Sequence, residues 1–305
     1  MNYNYYLPFE RVTKFVLLLL FTVNLSTFAE GADDGKIITQ FKIHEKGKFF
    51  VTWGYNRSMY DKSDIHFTGQ GHDFILYDVV ANDRPSKLSL DYINPSTWSI
   101  PQFNFRVGYY ISDKYSVSVG WDHMKYVAVD YQSLKMYGYL DPTKVPDQVM
   151  QANMEKMNSV YAPNGLYNNT QVIMEPATFL SYEHTDGFNY ATVDLERHDK
   201  LWQYSKHDRL GVSFMSGIGF GTIVPRTDSR LFGSGRNHFW NFAGWGANAK
   251  IGIQVNLSKV IYLESDLKYG YVQMLNIHTS NHYNIDRAQQ DIVFYENNWL
   301  IGFRF

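Results

Sequence analysis

The chain has 305 residues, a formal net charge of −2 and 17% aromatic residues, mostly Tyr (24) and Phe (21). That balance offers no basic surface for nucleic acid. The absence of Cys removes disulfides, thiolate metal sites and cysteine catalysis.

Arg11 and Lys14 precede the apolar run from Phe15 to Val23, and Ser26-Thr27-Phe28-Ala29 follows. Charge, core length and small-residue ending read as a Sec-type signal peptide over 1–29. An apolar core of roughly ten residues is too short for a membrane anchor, and no later run approaches the ~18 a spanning helix needs. Residues 30–46 read as a periplasmic lead and 47–305 as one barrel domain without a linker. A barrel closes its own hydrogen-bond ladder, so lack of Cys does not imply a reducing compartment.

The first wall strand is expected over 49–58. There Val51, Trp53 and Tyr55 alternate with Thr52, Gly54, Asn56 and Ser58, the period of a strand with two unlike faces. A long polar connection follows to Ile100, with a strand-like run over 74–80. The second strand (102–110) sets Phe103, Phe105, Val107 and Tyr109 against Gln102, Asn104, Arg106 and Gly108. After a tight turn at Ser112-Asp113-Lys114 comes the third (115–126), with Val117, Val119 and Trp121 outward. A second long loop, 128–181, is Met-rich in its middle (Met150, Met154, Met157) and predicts a short helix between irregular stretches.

The remaining strands are expected over 188–197, 209–223, 245–256, 261–271 and at the terminus. The last run sets Trp299, Ile301, Phe303 and Phe305 against Leu300, Gly302 and Arg304. A soluble β-sandwich could hold such an edge strand. The connections, however, alternate long, short, long, short, long, short, long, as in bacterial outer-membrane barrels. The expected fold is all-β: an eight-stranded antiparallel transmembrane β-barrel with four long extracellular loops and short periplasmic turns. The expected address is the outer membrane of a Gram-negative bacterium, and the expected state a monomer. Eight strands leave room for side chains only, which argues against a diffusion pore.

Inward charges of both signs are expected at Arg106, Asp122, Asp194, Glu196, Lys250, Glu264, Asp266, Lys268, Glu296 and Arg304. Internal ion pairing accounts for most of them, since unpaired buried charge is costly. The rim is richer in chemistry. Asp122 and His123 end the third strand, and Glu183, His184 and Asp186 open the fourth. Imidazole with carboxylate binds divalent metals or serves as acid and base, so Asp122, His123, Glu183, His184 and Asp186 are candidate metal ligands. His123, Asp186 and Lys125 are candidate catalytic groups. Asp64 and His66 share a face in the first loop. Solvated rim residues, or residues bridging lipopolysaccharide through cations, fit the same pattern. No nucleophile elbow, P-loop or dinucleotide motif is present.

The runs Ile100–Tyr109, Val119–Tyr126, Glu183–Asn189 and Gly217–Pro225 resemble, in similar order, the outer-membrane lipid A oxidase-like barrels. The specific parts are Thr185-Asp186-Gly187-Phe188-Asn189 and His123-x-Lys125. The resemblance implies oxygen-dependent oxidation of the proximal glucosamine of lipid A, assisted by a divalent metal, with lipid A or lipopolysaccharide as partner. His123, Lys125, Thr185, Asp186 and Asn189 are the matching positions. The alternative is a non-enzymatic structural or surface-interaction barrel.

Overall fold

The computed structural model describes residues 45–87, 101–203, 210–237, 239–281 and 285–305. The segment expected to be a signal peptide and nearly all of the expected lead lie outside the described residues. Eight of the fourteen described strands form the wall: β1 (Phe49–Tyr60), β5 (Phe103–Tyr110), β6 (Tyr115–Ala128), β9 (Leu180–Gln203), β10 (Gly211–Ile223), β12 (Gly244–Asn256), β13 (Ile261–His278) and β14 (Arg287–Arg304). Each pairs antiparallel with the next. The ring closes where β1 meets β14, from Phe50↔Arg304 to Tyr60↔Phe294. Closure satisfies every strand edge, the condition for β-structure in hydrocarbon. Val107, Val119, Val193, Phe220, Ile253, Leu267 and Ile301 expose apolar side chains outward. Aromatic contacts gather at the two ends: Phe49 with Tyr109 and Phe305 at one, Phe220–Trp245–Tyr271 at the other. An apolar band between aromatic girdles is the surface of a transmembrane barrel.

Two short turns use the same chemistry. Ser112 Oγ accepts from the backbone N–H of Tyr115 (2.9 Å), and Ser258 Oγ from that of Ile261 (2.8 Å). A hydroxyl that caps the turn sets the register of the hairpin.

The lumen is filled. In its lower part Arg106 pairs with Asp122 (3.0 Å) and Asp194, Lys250 with Glu196, and Lys268 with Asp122 and Glu296 (2.8 Å). The sequence places these charges inward, and the structure pairs them. Glu45 joins the bottom of this network at Arg304 (3.4 Å). Above it the filling turns apolar, with Phe188, Tyr190, Ile223, Val272, Ile292 and Phe294 buried. Tyr190 and Phe294 meet edge-on at 6.0 Å between ring centroids. Higher still, Tyr182 donates to Gln290 Oε1 (3.0 Å). β9 and β14 lie four places apart around a ring of eight, so both contacts cross the full width of the barrel.

The described parts of the long connections contain strands and a helix. They fold into a cap whose apolar core continues the upper lumen. The first contributes the hairpin β2 (Ser63–Gly69) and β3 (His72–Val79), and then β4 (Ala81–Asn82). The second, expected to be irregular around a short helix, holds β7 (Ser133–Leu140), helix α1 (Gln148–Tyr161) and β8 (Leu166–Ile173). The sheet runs on from β14 through β2, β3 and β7 to β8. In the third, β11 (Asp228–Leu231) pairs with β9. Asp147 Oδ1 caps α1 at the N–H groups of Val149 (2.8 Å) and Met150 (3.1 Å). Met150, Met154 and Met157 form its buried face, at the spacing that puts side chains on one side of a helix. Phe74, Phe179 and Phe232 make the aromatic centre of the cap, with centroids 5.7–5.9 Å apart.

Three wall strands run further than their alternation indicates. β9 begins at Leu180 rather than near 188, β13 continues past 271 to His278, and β14 begins at Arg287. Inside the membrane, apolar side chains face out. Above it the phase inverts: Leu180, Tyr182, Met274, Ala288 and Ile292 turn apolar groups inward.

Candidate functional site

Strands β6 and β9 carry the rim. Their register shifts between Met124 and Tyr126, so His123 lies opposite Asn189, Tyr126 opposite His184 and Val127 opposite Glu183. A bulge of this kind re-aims the side chains beside it. Below the shift, on the outward side by strand alternation but only 2% exposed, His123 Nδ1 contacts Asn189 Oδ1 (2.7 Å) and its ring stacks on Phe103 (5.3 Å). Trp121 Nε1 donates to the same Asn189 oxygen (3.1 Å), while Asn189 Nδ2 donates to the Val224 carbonyl (3.1 Å). These contacts hold a polar group quiet where the wall approaches lipid.

Directly above is a cleft of about 450 Å³ lined by Arg84, Pro85, Ser86, Lys125, Thr185, Asp186, Arg226 and Trp240. Four chain segments build it. β4 pairs with the top of β6, Ala81↔Ala128 and Asn82↔Val127, and delivers Arg84 to Ser86. The segment after β10 stays on β9: the Val224 and Arg226 N–H groups donate to the Asn189 and Gly187 carbonyls (both 2.9 Å). Arg226 is bridged to Trp240.

Three cations and one carboxylate line the cleft, a surplus of two positive charges. Glu183 lies beside them and accepts from Arg84 (3.2 Å), reducing the surplus to one. Lys125 is only 9% exposed and donates to Ser86 Oγ (3.0 Å). Burial pulls its ammonium below the usual lysine range. Arg84 adds to that, and Asp83, Asp186 and Glu183 oppose it.

The five expected metal ligands are not brought together. Asp122 is inside the barrel, held by Arg106 and Lys268. His123 is outside, on Asn189. His184 is buried in the cap core, its Nδ1 3.0 Å from Thr227 Oγ1, between the rings of Tyr126, Tyr182 and Phe188. Glu183 accepts from Thr185 Oγ1 (2.9 Å) as well as Arg84. It lies opposite Val127, five positions beyond Asp122, or roughly 17 Å along a strand. Among the described residues no group of three or more His, Cys, Asp or Glu side chains is arranged to hold a metal ion. Adjacent residues on a strand point to opposite faces, so Asp122 and His123 cannot share a ligand sphere.

Of the expected catalytic trio, Lys125 and Asp186 share the cleft with Thr185, whereas His123 lies below it. In the first loop His66 Nε2 contacts Asp73 (2.7 Å), while Asp64 accepts from the Asp78 N–H (2.9 Å). Arg84, Arg226 and Trp240 were not marked by the sequence. They sit in connections without a motif and meet Lys125 only through folding.

A second polar set lies inside the cap. Gln290 Nε2 donates to Ser63 Oγ and Tyr126 OH (both 2.8 Å), and its Oε1 accepts from Tyr182 OH. These bonds satisfy buried polar groups between strands from opposite sides of the ring.

No protein-family model matches the sequence, and no curated protein matches it. Among solved structures, the outer membrane protein OprG from Pseudomonas aeruginosa is 9% identical, with 86% of this chain and 97% of that chain covered, at a TM-score of 0.42. Neisserial surface protein A is 9% identical over 85% of this chain and all of that one, at 0.34. Ail, the attachment invasion locus protein of Yersinia pestis, is 9% identical over 85% and 99%, at 0.29. At these values the barrel stands on its own closed register rather than on the likeness.

Proposed function

We propose that this chain is an outer-membrane β-barrel that acts at the cell surface as a sealed scaffold for a folded cap, presenting the rim cleft. The single observation behind this is the lumen: contacts between opposite walls close it at three heights. A path for solute would have to break buried ion pairs and an apolar plug. The apolar band, the folded cap and the signal-like amino terminus support the outer membrane as its address.

Oxidation of lipid A is the second reading. Its support is that Lys125 and Asp186, two of the three expected catalytic groups, line a cleft at the edge of the wall. The separation of His123, His184 and Asp122 favours the non-enzymatic reading. One set of measurements separates them. The purified barrel in planar bilayers should pass no stepwise current. Lipid A from a lipopolysaccharide-producing host should keep its mass when the barrel is expressed. Current steps would overturn the sealed scaffold, and an oxygen-dependent mass change would establish the enzyme.

A further inference from the structure

We infer that the rim cleft binds the phosphate monoester headgroup of an outer-leaflet lipid, which enters sideways along the wall. The inference rests on the outer-membrane reading above and names the partner of that surface. Charge comes first. Lys125, Arg84 and Arg226 converge from β6, the first loop and the third loop, against Asp186 alone among the lining residues. A phosphate monoester carries about −1.5 to −2 at neutral pH and three acceptor oxygens, which matches a surplus of one to two positive charges. Two guanidiniums supply forked donors suited to phosphate.

Burial is the second observation. Lys125 is nine-tenths covered, yet Ser86 Oγ engages one of the three donors an ammonium carries. Holding a cation this far from water is costly unless it is paired, and an anion in the cleft offsets that cost. Asp186 and the Thr185 hydroxyl, whose hydrogen goes to Glu183, add acceptors for headgroup hydroxyls.

Position selects the source. The cleft lies one step up β6 and β9 from Trp121, His123 and Asn189, which strand alternation puts on the outward side of the wall, His123 and Asn189 being covered there. Below these, Val119 and Val193 are exposed to lipid. A headgroup in the cleft therefore leaves its acyl chains against the apolar band. A free phosphate would gain nothing from that band. Trp240, half exposed at the cleft, suits the interfacial level where aromatic rings gather.

The test uses the full barrel in nanodiscs of phosphatidylcholine containing either phosphatidic acid, a monoester, or phosphatidylglycerol, a diester. Bound lipid is counted by native mass spectrometry. Phosphatidic acid should be retained as a defined adduct and phosphatidylglycerol much less. Lys125→Met with Arg226→Gln should lower retention at least about tenfold, the scale of one charge-assisted hydrogen bond. Heat-modifiable migration verifies that this variant folds. Should it not fold, Arg84→Gln, whose side chain is 67% exposed, and the monoester–diester comparison on the native barrel decide. Equal retention of both lipids, or undiminished retention in a folded variant, would overturn the inference. So would displacement by an equal concentration of glycerol 3-phosphate, which would assign the cleft to a soluble phosphate. Current steps or altered lipid A would count against the sealed-scaffold reading while leaving these binding results intact.

Discussion

Lys268 on β13 reaches Asp122 on β6, the strand four places away in either direction around the ring. The same ammonium lies 2.8 Å from Glu296, and all three side chains are fully buried. Lys268→Met should leave Glu296 without its cation, because Asp122 keeps Arg106 at 3.0 Å. Removing one partner of a buried pair costs about 3–5 kcal/mol. The urea midpoint of the heat-modifiable form should fall accordingly. Adding Glu296→Gln should recover part of the loss, since the orphaned charge goes with it. An unchanged midpoint in Lys268→Met would show that the pair contributes nothing.

The cap should fail separately from the wall. Phe74 is wholly buried against Phe67, Phe179 and Phe232. Phe74→Ala should cost roughly 3–5 kcal/mol, as large-to-small core changes do. That loss should fall on the shared apolar cluster that joins α1 to the rest of the cap. Limited proteolysis should then cut the second loop while the wall strands remain resistant. Loss of heat-modifiable migration in the same variant would mean that cap and wall fold as one unit.

Acid should loosen the cap. His184 lies above the membrane-spanning stretch of β9, and burial pushes its ring down to about 3, with Gln290 opposing. His72 is also lowered by burial, against Asp286, the Gln70 carbonyl and Asp73. Both rings are held neutral in the folded cap and take up protons more readily when it opens. Their ordinary value is ~6.5. Cap stability is therefore fully present above that pH and declines as the pH falls from there toward 3. The decline is at most about 1.4 kcal/mol per pH unit for each ring. Near-ultraviolet circular dichroism should show the cap's tyrosine signal weakening between pH 6 and 4 (about the range these shifts define). His184→Gln should flatten that dependence. A wild-type signal constant over the range would refute the assignment.

Gly138 sets the meeting of β7 with its neighbours. Its φ is +134°, and a Cβ there would collide with the backbone carbonyl of Asp73 on β3. The β7–β8 register also shifts beside it. Gly138→Ala should cost at least about 1 kcal/mol from backbone strain alone. Hydrogen exchange should rise across β3, β7 and β8 and stay unchanged in β10 and β12. Unaltered exchange in β7 would contradict this.

What the amino-acid sequence determined by itself is the wall. Two-residue alternation over Phe103–Tyr110 and Tyr115–Trp121 reads directly as one lipid-facing and one lumen-facing side. The alternation of long and short connections orders eight such strands into a ring, and the inward charges announce the buried network. Lys125, Thr185 and Asp186 stood out as well, as positions that carry the family resemblance. The tertiary structure decided the rest. Above the membrane the apolar side turns inward, so Tyr182, Met274 and Ile292 look like breaks in a pattern that has only changed phase. The candidate ligands separated because neighbouring residues on a strand face opposite ways: Asp122 went to Lys268 and His123 to Asn189. The cleft gathers Arg84, Lys125 and Arg226 from three segments distant in sequence. Local spacing carries no trace of such a meeting, since it arises from strand register and loop packing.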